Sequence, residues 1–159
     1  MKGASSRRRR FRRAFRIAAI LFTGLPILFG ARGADASGDV EVRRGGSSWA
    51  RIDEDGSIRV EGRLVGTIEK DGSVRVEGRL EGRVEEGGTI RENGRMVGSV
   101  EKDGTIRAEG ALLGRIEKDG AIRRHGALWG SASPCCAGFH DLRRVAALLF
   151  FFDRGFFGP

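Results

Sequence analysis

The sequence is poor in the residues that most often carry catalysis or hold a metal. It has two histidines and two cysteines in 159 residues. His125 and His140 are isolated, and neither lies in a constellation of acids, so solvated side chains are a better interpretation than catalytic ones. We therefore expect a protein that is not an enzyme, with no catalytic residues, no metal and no cofactor.

Two short motifs that could suggest a site are incomplete. Asp53-Glu54-Asp55-Gly56 hints at a calcium loop, but the later acids are not spaced correctly and the related segments lack the first aspartate. Pairs such as Gly62 and Gly66 form a helix-packing motif only in an apolar 20-residue stretch. Here they lie among glutamates and arginines, which favours glycines in turns and bends.

The body of the chain lacks an excess of charge of either sign. The formal net charge is +8, yet residues 1–36 hold nine of the 29 basic residues and one of the 21 acidic ones. Twenty residues of each sign remain in 37–159, so the body is neutral. A neutral body has no long-range field that would steer a polyanion, which excludes a nucleic-acid partner.

No apolar run is long enough to cross a bilayer comfortably, which takes roughly 20 residues. The run 17–29 is interrupted by Gly24 and Pro26, follows the basic segment 7–13 and precedes Ala34-Asp35-Ala36. This order predicts a secretory signal peptide over residues 1–36, cleaved after Ala36, with an uncleaved anchor as the alternative. The arginine-rich segment is also a weak match to a twin-arginine signal. We expect an exported protein, periplasmic or associated with the bacterial envelope.

The central part of the chain repeats itself every 16 residues. The five copies are RIDEDGSIRVEGRLVG (51–66), TIEKDGSVRVEGRLEG (67–82), RVEEGGTIRENGRMVG (83–98), SVEKDGTIRAEGALLG (99–114) and RIEKDGAIRRHGALWG (115–130). Glycine occupies the sixth, twelfth and sixteenth places of each copy. The turn glycines are Gly56, Gly72, Gly88, Gly104 and Gly120 at the sixth place, and Gly62, Gly78, Gly94, Gly110 and Gly126 at the twelfth. Such regularity indicates a repeat architecture.

Apolar residues fall on even places of the repeat, which predicts strands with one buried face. The second and eighth places hold isoleucine or valine, and the fourteenth holds Leu64, Leu80, Met96, Leu112 and Leu128. We expect all three places to face the core. Because hairpin partners share a face, Ile68 should pair with Val74 across a three-residue loop closed by left-handed Gly72. Val76 should likewise pair with Leu80 across the three residues 77–79.

The strands should close into a barrel. Residues 39–50 look like a degenerate half repeat, so the predicted fold is an all-β antiparallel meander of about a dozen strands over residues 37–130. Closure covers the apolar face and removes both edges. A barrel of that size is too wide to be filled by its own side chains, so another segment must lie inside it.

Residues 131–159 form a linker and an apolar C-terminal helix that could fill the barrel. We predict the helix over 141–152, with Asp141 as N-cap and Gly155 ending it. From Val145 to Phe152 it is apolar all round, and it is too short to span a bilayer. It therefore either plugs the barrel or inserts shallowly into a membrane, with a disordered tail as the third possibility. The expected plug or membrane contacts are Val145, Leu148, Leu149, Phe150, Phe151 and Phe152.

The repeat resembles that of the bacterial β-flower families. The resemblance rests on the pattern DGx(I/V)RxxGx(L/M)xGx(I/V) and the alanine, leucine and phenylalanine tail, and it covers roughly residues 38–152. It implies a shallow, quasi-symmetric barrel of repeated hairpins, comparable to the Tubby C-terminal barrel with its central helix. It brings no established activity and no functional residues. The lipid binding of Tubby domains is a fold-level analogy, and this chain lacks a clustered basic patch.

The adjacent cysteines and the function leave alternatives open. Cys135 and Cys136 could form a disulfide with each other, form one between molecules, or remain free thiols. The leading hypothesis is a structural or interaction module of the bacterial envelope that touches a membrane surface or an envelope protein. The alternatives are a self-assembling polymer with the parallel β-helix of bactofilins, and a barrel that binds a lipid or a small apolar ligand.

Overall fold

A computed structural model describes residues 38–157, and these form a closed antiparallel barrel around a helix. The predicted signal peptide over residues 1–36 lies outside the described residues. The strands are β1 (Val40–Arg44), β2 (Ser47–Ile52), β3 (Ser57–Val60), β4 (Arg63–Ile68), β5 (Ser73–Val76), β6 (Arg79–Val84), β7 (Thr89–Glu92), β8 (Arg95–Val100), β9 (Thr105–Ala108), β10 (Ala111–Ile116), β11 (Ala121–Arg124) and β12 (Ala127–Ser133). The helices are α1 (Phe139–Phe152) and α2 (Arg154–Phe157).

Each strand pairs with the strands before and after it in the chain, and the first pairs with the last. Val42 of β1 lies opposite Ala132 of β12, which closes the ring of twelve strands. Every repeat contributes one four-residue strand and parts of two longer ones. The expected all-β barrel of repeated hairpins, with the half repeat as its first hairpin, is confirmed. Strand β12 continues three residues past the end of the fifth repeat.

One end of the barrel, which we call the Asp-Gly end, carries the three-residue loops that the sequence predicts. Ile68 pairs with Val74, and the amide of Gly72 donates to the carbonyl of Glu69 at 2.9 Å. Gly72 has a φ of +88°, the left-handed conformation that glycine adopts without steric cost. A carboxylate oxygen of Asp71 accepts a hydrogen bond from the amide of Ser73 at 2.9 Å, which braces the loop.

The opposite end, the Glu-Gly end, has tighter turns than predicted. Val76 pairs with Arg79 and not with Leu80, so the turn contains only Glu77 and Gly78. Both residues have positive φ, at 49° and 83°, as in a type I′ turn. That turn matches the right-handed twist of the flanking strands. The prediction of a three-residue loop at 77–79 is therefore wrong.

A β-bulge follows each of these turns, and together they reverse the predicted orientation of the fourteenth place. Val74 pairs with Gly82 but Arg75 pairs with Leu80, so Glu81 is the extra residue. The fourteenth place consequently shares the outer face with arginine. Its five side chains are 58–66% exposed, and the prediction that they face the core is wrong: Leu64, Leu80, Met96, Leu112 and Leu128. The second and eighth places are buried as predicted.

Helix α1 fills the barrel. Val145, Leu148 and Leu149 are fully buried, which confirms the plug predicted for the C-terminal segment. The helix begins two residues before Asp141, which lies in its first turn, so the prediction of Asp141 as N-cap is wrong. It ends at Phe152, and Gly155 lies within α2 rather than ending α1. Asp153 joins the two helices, because its side chain accepts a hydrogen bond from the amide of Gly155 at 2.9 Å.

Candidate functional site

Three successive phenylalanines of α1 contact three successive repeats. The rings of Phe150, Phe151 and Phe152 lie against the sixteenth-place glycines Gly98, Gly82 and Gly66, respectively. A Cβ on any of these glycines would lie within 2.8 Å of the facing ring, so only glycine leaves room for it. The rings are thereby held against the inner wall, and the barrel lumen is occupied by the helix.

An aromatic cluster continues from these rings toward the closure of the barrel. Phe150 stacks on Phe157 with ring centroids 3.7 Å apart, and Phe156 meets Phe157 at 5.1 Å. The ring of Phe156 also lies edge-on to Trp129, at 5.3 Å between centroids. Trp129 in turn meets Trp49 at 5.5 Å. Such edge-to-face contacts add to the energy of apolar burial and hold α2 in place at the Glu-Gly end.

A cavity of about 570 Å³ remains between this cluster and the barrel wall at the Glu-Gly end. We call it the mouth cavity. Strands β5 to β9 form its wall and the two helices form its floor. Its apolar lining includes Phe150, Phe151, Phe157, Val76 and Val97. Its polar lining is Glu81, Glu92, Glu109 and Arg154. A volume of this size is typical of sites for small molecules.

The five exposed apolar side chains of the fourteenth place form a ring around the outer wall, which we call the collar: Leu64, Leu80, Met96, Leu112 and Leu128. The residue before each one differs between copies. It is arginine in the first three copies and alanine in the last two, where Ala111 and Ala127 are exposed. The collar is therefore most apolar across β10 and β12. A groove of about 680 Å³, lined in part by Leu128 and Trp129, extends this region toward Gly45 and Gly46.

The outer wall around the collar is neutralised by regular ion pairs. In each copy the ninth-place arginine contacts the third-place acid, as when Arg91 Nε lies 2.8 Å from Glu85 Oε1. The corresponding pairs are Arg59 with Asp53, Arg75 with Glu69, Arg107 with Glu101 and Arg123 with Glu117. Exposed pairs of this kind contribute little stability each. Their consequence is that the charges of the ninth-place arginines on the outer wall are neutralised.

At the Asp-Gly end, two arginines tie the start of α1 to the barrel. Arg144 is buried and donates to the carbonyls of Asp53 at 2.7 Å and Gly38 at 3.1 Å. Arg143 donates to the carbonyl of Val84 at 2.7 Å. Burial lowers the pKa of both guanidinium groups from their ordinary value, because desolvation disfavours the charged form. These groups satisfy backbone carbonyls and serve a structural role.

The two histidines, the acidic loop and the two cysteines lie apart from one another. His125 is at the tip of a turn at the Glu-Gly end, whereas His140 is in the first turn of α1 at the opposite end. Asp53 contacts Arg51 and Arg59 at 2.9 and 3.2 Å, as an ion-pair partner and not as part of a calcium loop. Across residues 38–157, no group of histidine, cysteine, aspartate or glutamate side chains could hold a metal ion. Cys135 and Cys136 are joined by a disulfide between β12 and α1.

The mouth cavity was not found from the sequence, although the repeat contains a signal for it. The tenth and fifteenth places both line the inner wall near the Glu-Gly end. Their residues are apolar in most copies, but the fifteenth place holds Glu81 in the second copy and the tenth holds Glu92 in the third. An acidic residue at an inward-facing place, where other copies have an apolar one, indicates a local polar site. Glu81 and Glu92 lie on the adjacent strands β6 and β7.

Comparison of the chain with protein-family models, with curated proteins and with solved structures finds no match. No helix within residues 38–157 has the length and apolar character required to cross a membrane.

Proposed function

We propose that this protein is an exported, non-enzymatic interaction module of the bacterial envelope, of the β-flower kind, that docks to another envelope protein through its collar. The observation that carries this proposal is the exposure of Leu112 and Leu128 beside Ala111 and Ala127, on a wall whose ninth-place arginines are ion-paired. Leu112 and Leu128 lie on β10 and β12, on either side of β11. Exposed apolar patches mark interaction sites in soluble proteins. The export part of the proposal is supported by the order of basic, apolar and small residues over 1–36.

The chemistry around the collar favours a protein partner over a lipid surface. The turns at the Glu-Gly end project beyond the collar, and their tips carry Glu61, Glu77 and Glu109. End-on insertion would carry these carboxylates deeper into the bilayer than the leucines, which is costly. A protein surface can instead present apolar side chains to the collar and donors to the carboxylates. The expected partner surface is apolar at its centre with basic residues at its rim.

The plugged barrel weakens the two alternative functions. A bactofilin-like polymer grows from a parallel β-helix, whereas here all neighbouring strands are antiparallel and the barrel closes between β1 and β12. A lipid-binding lumen would require α1 to leave, but Leu148 and Leu149 of α1 are fully buried there. Neither alternative uses the collar.

Site-specific photo-crosslinking in bacterial cells tests the proposal. A photoreactive residue at position 112 should give one discrete adduct with an envelope protein, and Leu128→Gln should abolish that adduct. The matched control places the probe at position 64, on the sector with Arg63, where we expect no discrete adduct. An adduct of twice the chain's mass would show that the partner is a second copy of this chain. The absence of any discrete adduct with the probe at position 112 would overturn the docking proposal.

Two further readouts separate the other parts of the proposal. Liposome flotation of the purified protein should be negative. If the protein floats with liposomes and the double variant Leu112→Gln with Leu128→Gln does not, the collar binds a membrane surface and not a protein. For export, the protein recovered from the envelope fraction should begin at Ser37. A protein that stays in the cytoplasm with residues 1–36 intact would contradict export, whatever the collar binds.

A further inference from the structure

The mouth cavity combines an aromatic floor with acidic side chains around it. Its floor is aromatic, formed by Phe150, Phe151 and Phe157. Phe150 and Phe151 cannot withdraw into the wall, because their rings already fill the space beside Gly98 and Gly82. The floor is thus held in one position before any ligand arrives, and this reduces the entropy lost on binding.

Three carboxylates surround this floor. Within residues 38–157, Glu81, Glu92 and Glu109 take part in no ion pair, although the outer wall pairs its arginines and acids systematically. Glu81 and Glu92 occupy inward-facing places where the other copies carry apolar residues, tryptophan or arginine. Their presence disturbs the repeat without serving its packing. Among residues 38–157, Arg154 is the one cation that lines the cavity, so these residues give the lining a net charge of −2.

This lining selects a particular class of ligand. A neutral apolar molecule would desolvate the carboxylates without compensation, which opposes its binding. A bare metal ion finds no set of three ligating side chains in the described part of the chain. An alkylated ammonium group can contact the ring faces by cation–π attraction while its charge is balanced by the carboxylates. We propose that the mouth cavity is a binding site for organic cations that carry a substituted ammonium group.

The site goes beyond the docking function proposed above and does not depend on it. The collar lies on the outer face of the barrel, whereas Glu81 and Glu92 line the inner wall at its mouth. A failure of the collar experiments would leave the cavity and its lining unchanged. Conversely, a cavity that binds no cation would leave the docking proposal intact.

Choline and its uncharged isostere 3,3-dimethyl-1-butanol test the proposal on the purified full chain. The two probes have the same shape and differ in charge. We expect choline to cause saturable shifts of phenylalanine ring signals in NMR titrations, with the neutral isostere binding at least about fivefold more weakly. Equal affinity for both probes, or the absence of any saturable shift with choline, would overturn the proposal.

Charge-neutralising variants locate the site. Glu81→Gln with Glu92→Gln should weaken choline binding by about tenfold, and Arg154→Gln should strengthen it, because it removes the opposing charge. The matched control is Glu61→Gln with Glu77→Gln, which removes two charges at the same end of the barrel but outside the cavity. Equal weakening in the control pair would show diffuse electrostatics and reject a site. Circular dichroism of each variant confirms that the barrel is folded.

Discussion

The ring of Phe151 lies where a side chain on Gly82 would have to be: a Cβ at that glycine would be 2.7 Å from the ring's Cζ and 2.1 Å from the carbonyl oxygen of Arg91. The same relationship joins Phe152 to Gly66 and Phe150 to Gly98. These three sixteenth-place glycines thus allow the barrel wall to approach the plug. The bulge beside each of these glycines determines which residues face outward.

Gly82→Ala should destabilise the protein by at least about 2 kcal/mol, because the added methyl overpacks a filled interior. The matched control is Gly87→Ala. Gly87 has no positive φ, and a Cβ there would meet nothing within 4 Å. Urea unfolding of both variants checks the prediction. Similar midpoints for the two variants would show that neither the Arg91 carbonyl nor the Phe151 ring crowds this glycine.

Arg144→Gln should also destabilise the fold, by about 1–3 kcal/mol, because glutamine is too short to donate to the carbonyls of both Asp53 and Gly38. Arg63→Gln removes the same charge from an exposed position on β4 and should change stability by less than about 0.5 kcal/mol. Thermal unfolding of the pair provides the comparison. A loss in Arg63→Gln as large as that in Arg144→Gln would point to net charge rather than to these hydrogen bonds.

The glycine-closed loops of the fold could be predicted because their residues determine local backbone geometry. The Glu-Gly turns could not, since the apolar residue at Leu80 suggested a face match with Val76 that a bulge at Glu81 removes. One extra residue reverses the face of everything beyond it, so an exposed leucine and a buried one look alike in the sequence. The plug was predictable because a closed meander of twelve strands leaves a lumen that must be filled.

The candidate site was harder to predict than the fold. The mouth cavity depends on where α2 packs, and Phe156 and Phe157 offer no periodicity from which that placement could be read. Glu81 and Glu92 are 11 residues apart in the chain and become neighbours only through the register of β6 and β7. Once that register is known, their departure from the repeat becomes informative.

Acid should weaken the Asp-Gly loops in a specific pH range. The hydrogen bond from the Ser73 amide lowers the pKa of Asp71 below its ordinary value of 3.8, and the Thr105 amide does the same for Asp103. A folded pKa below the unfolded one gives stability that is present above about pH 4 and is lost as the pH falls through the folded pKa. Unfolding midpoints measured downward from pH 5 should therefore decline.

The decline should be shallower in Asp71→Asn with Asp103→Asn, because asparagine keeps an acceptor oxygen but does not titrate. The control Glu77→Gln alters a carboxylate that makes no hydrogen bond within residues 38–157 and should leave the acid profile unchanged. An unaltered profile in the asparagine variant would contradict a role for these loop carboxylates in acid stability.

Removing the plug should abolish the fold. Val145, Leu148 and Leu149 are fully buried, and burial of three such side chains contributes about 5–9 kcal/mol, which is comparable to the entire net stability of a small domain at about 5–15 kcal/mol. A chain that ends at Gly138 would expose the lumen-facing side of every strand to water. We expect it to lose the cooperative unfolding transition in circular dichroism.

A synthetic peptide of residues 139–157, added in trans, should restore the transition because it supplies the same contacts. A truncated chain that stays folded and binds an apolar dye in its lumen would instead show that the helix is a removable occupant, and the barrel would then have to be regarded as a container for apolar ligands.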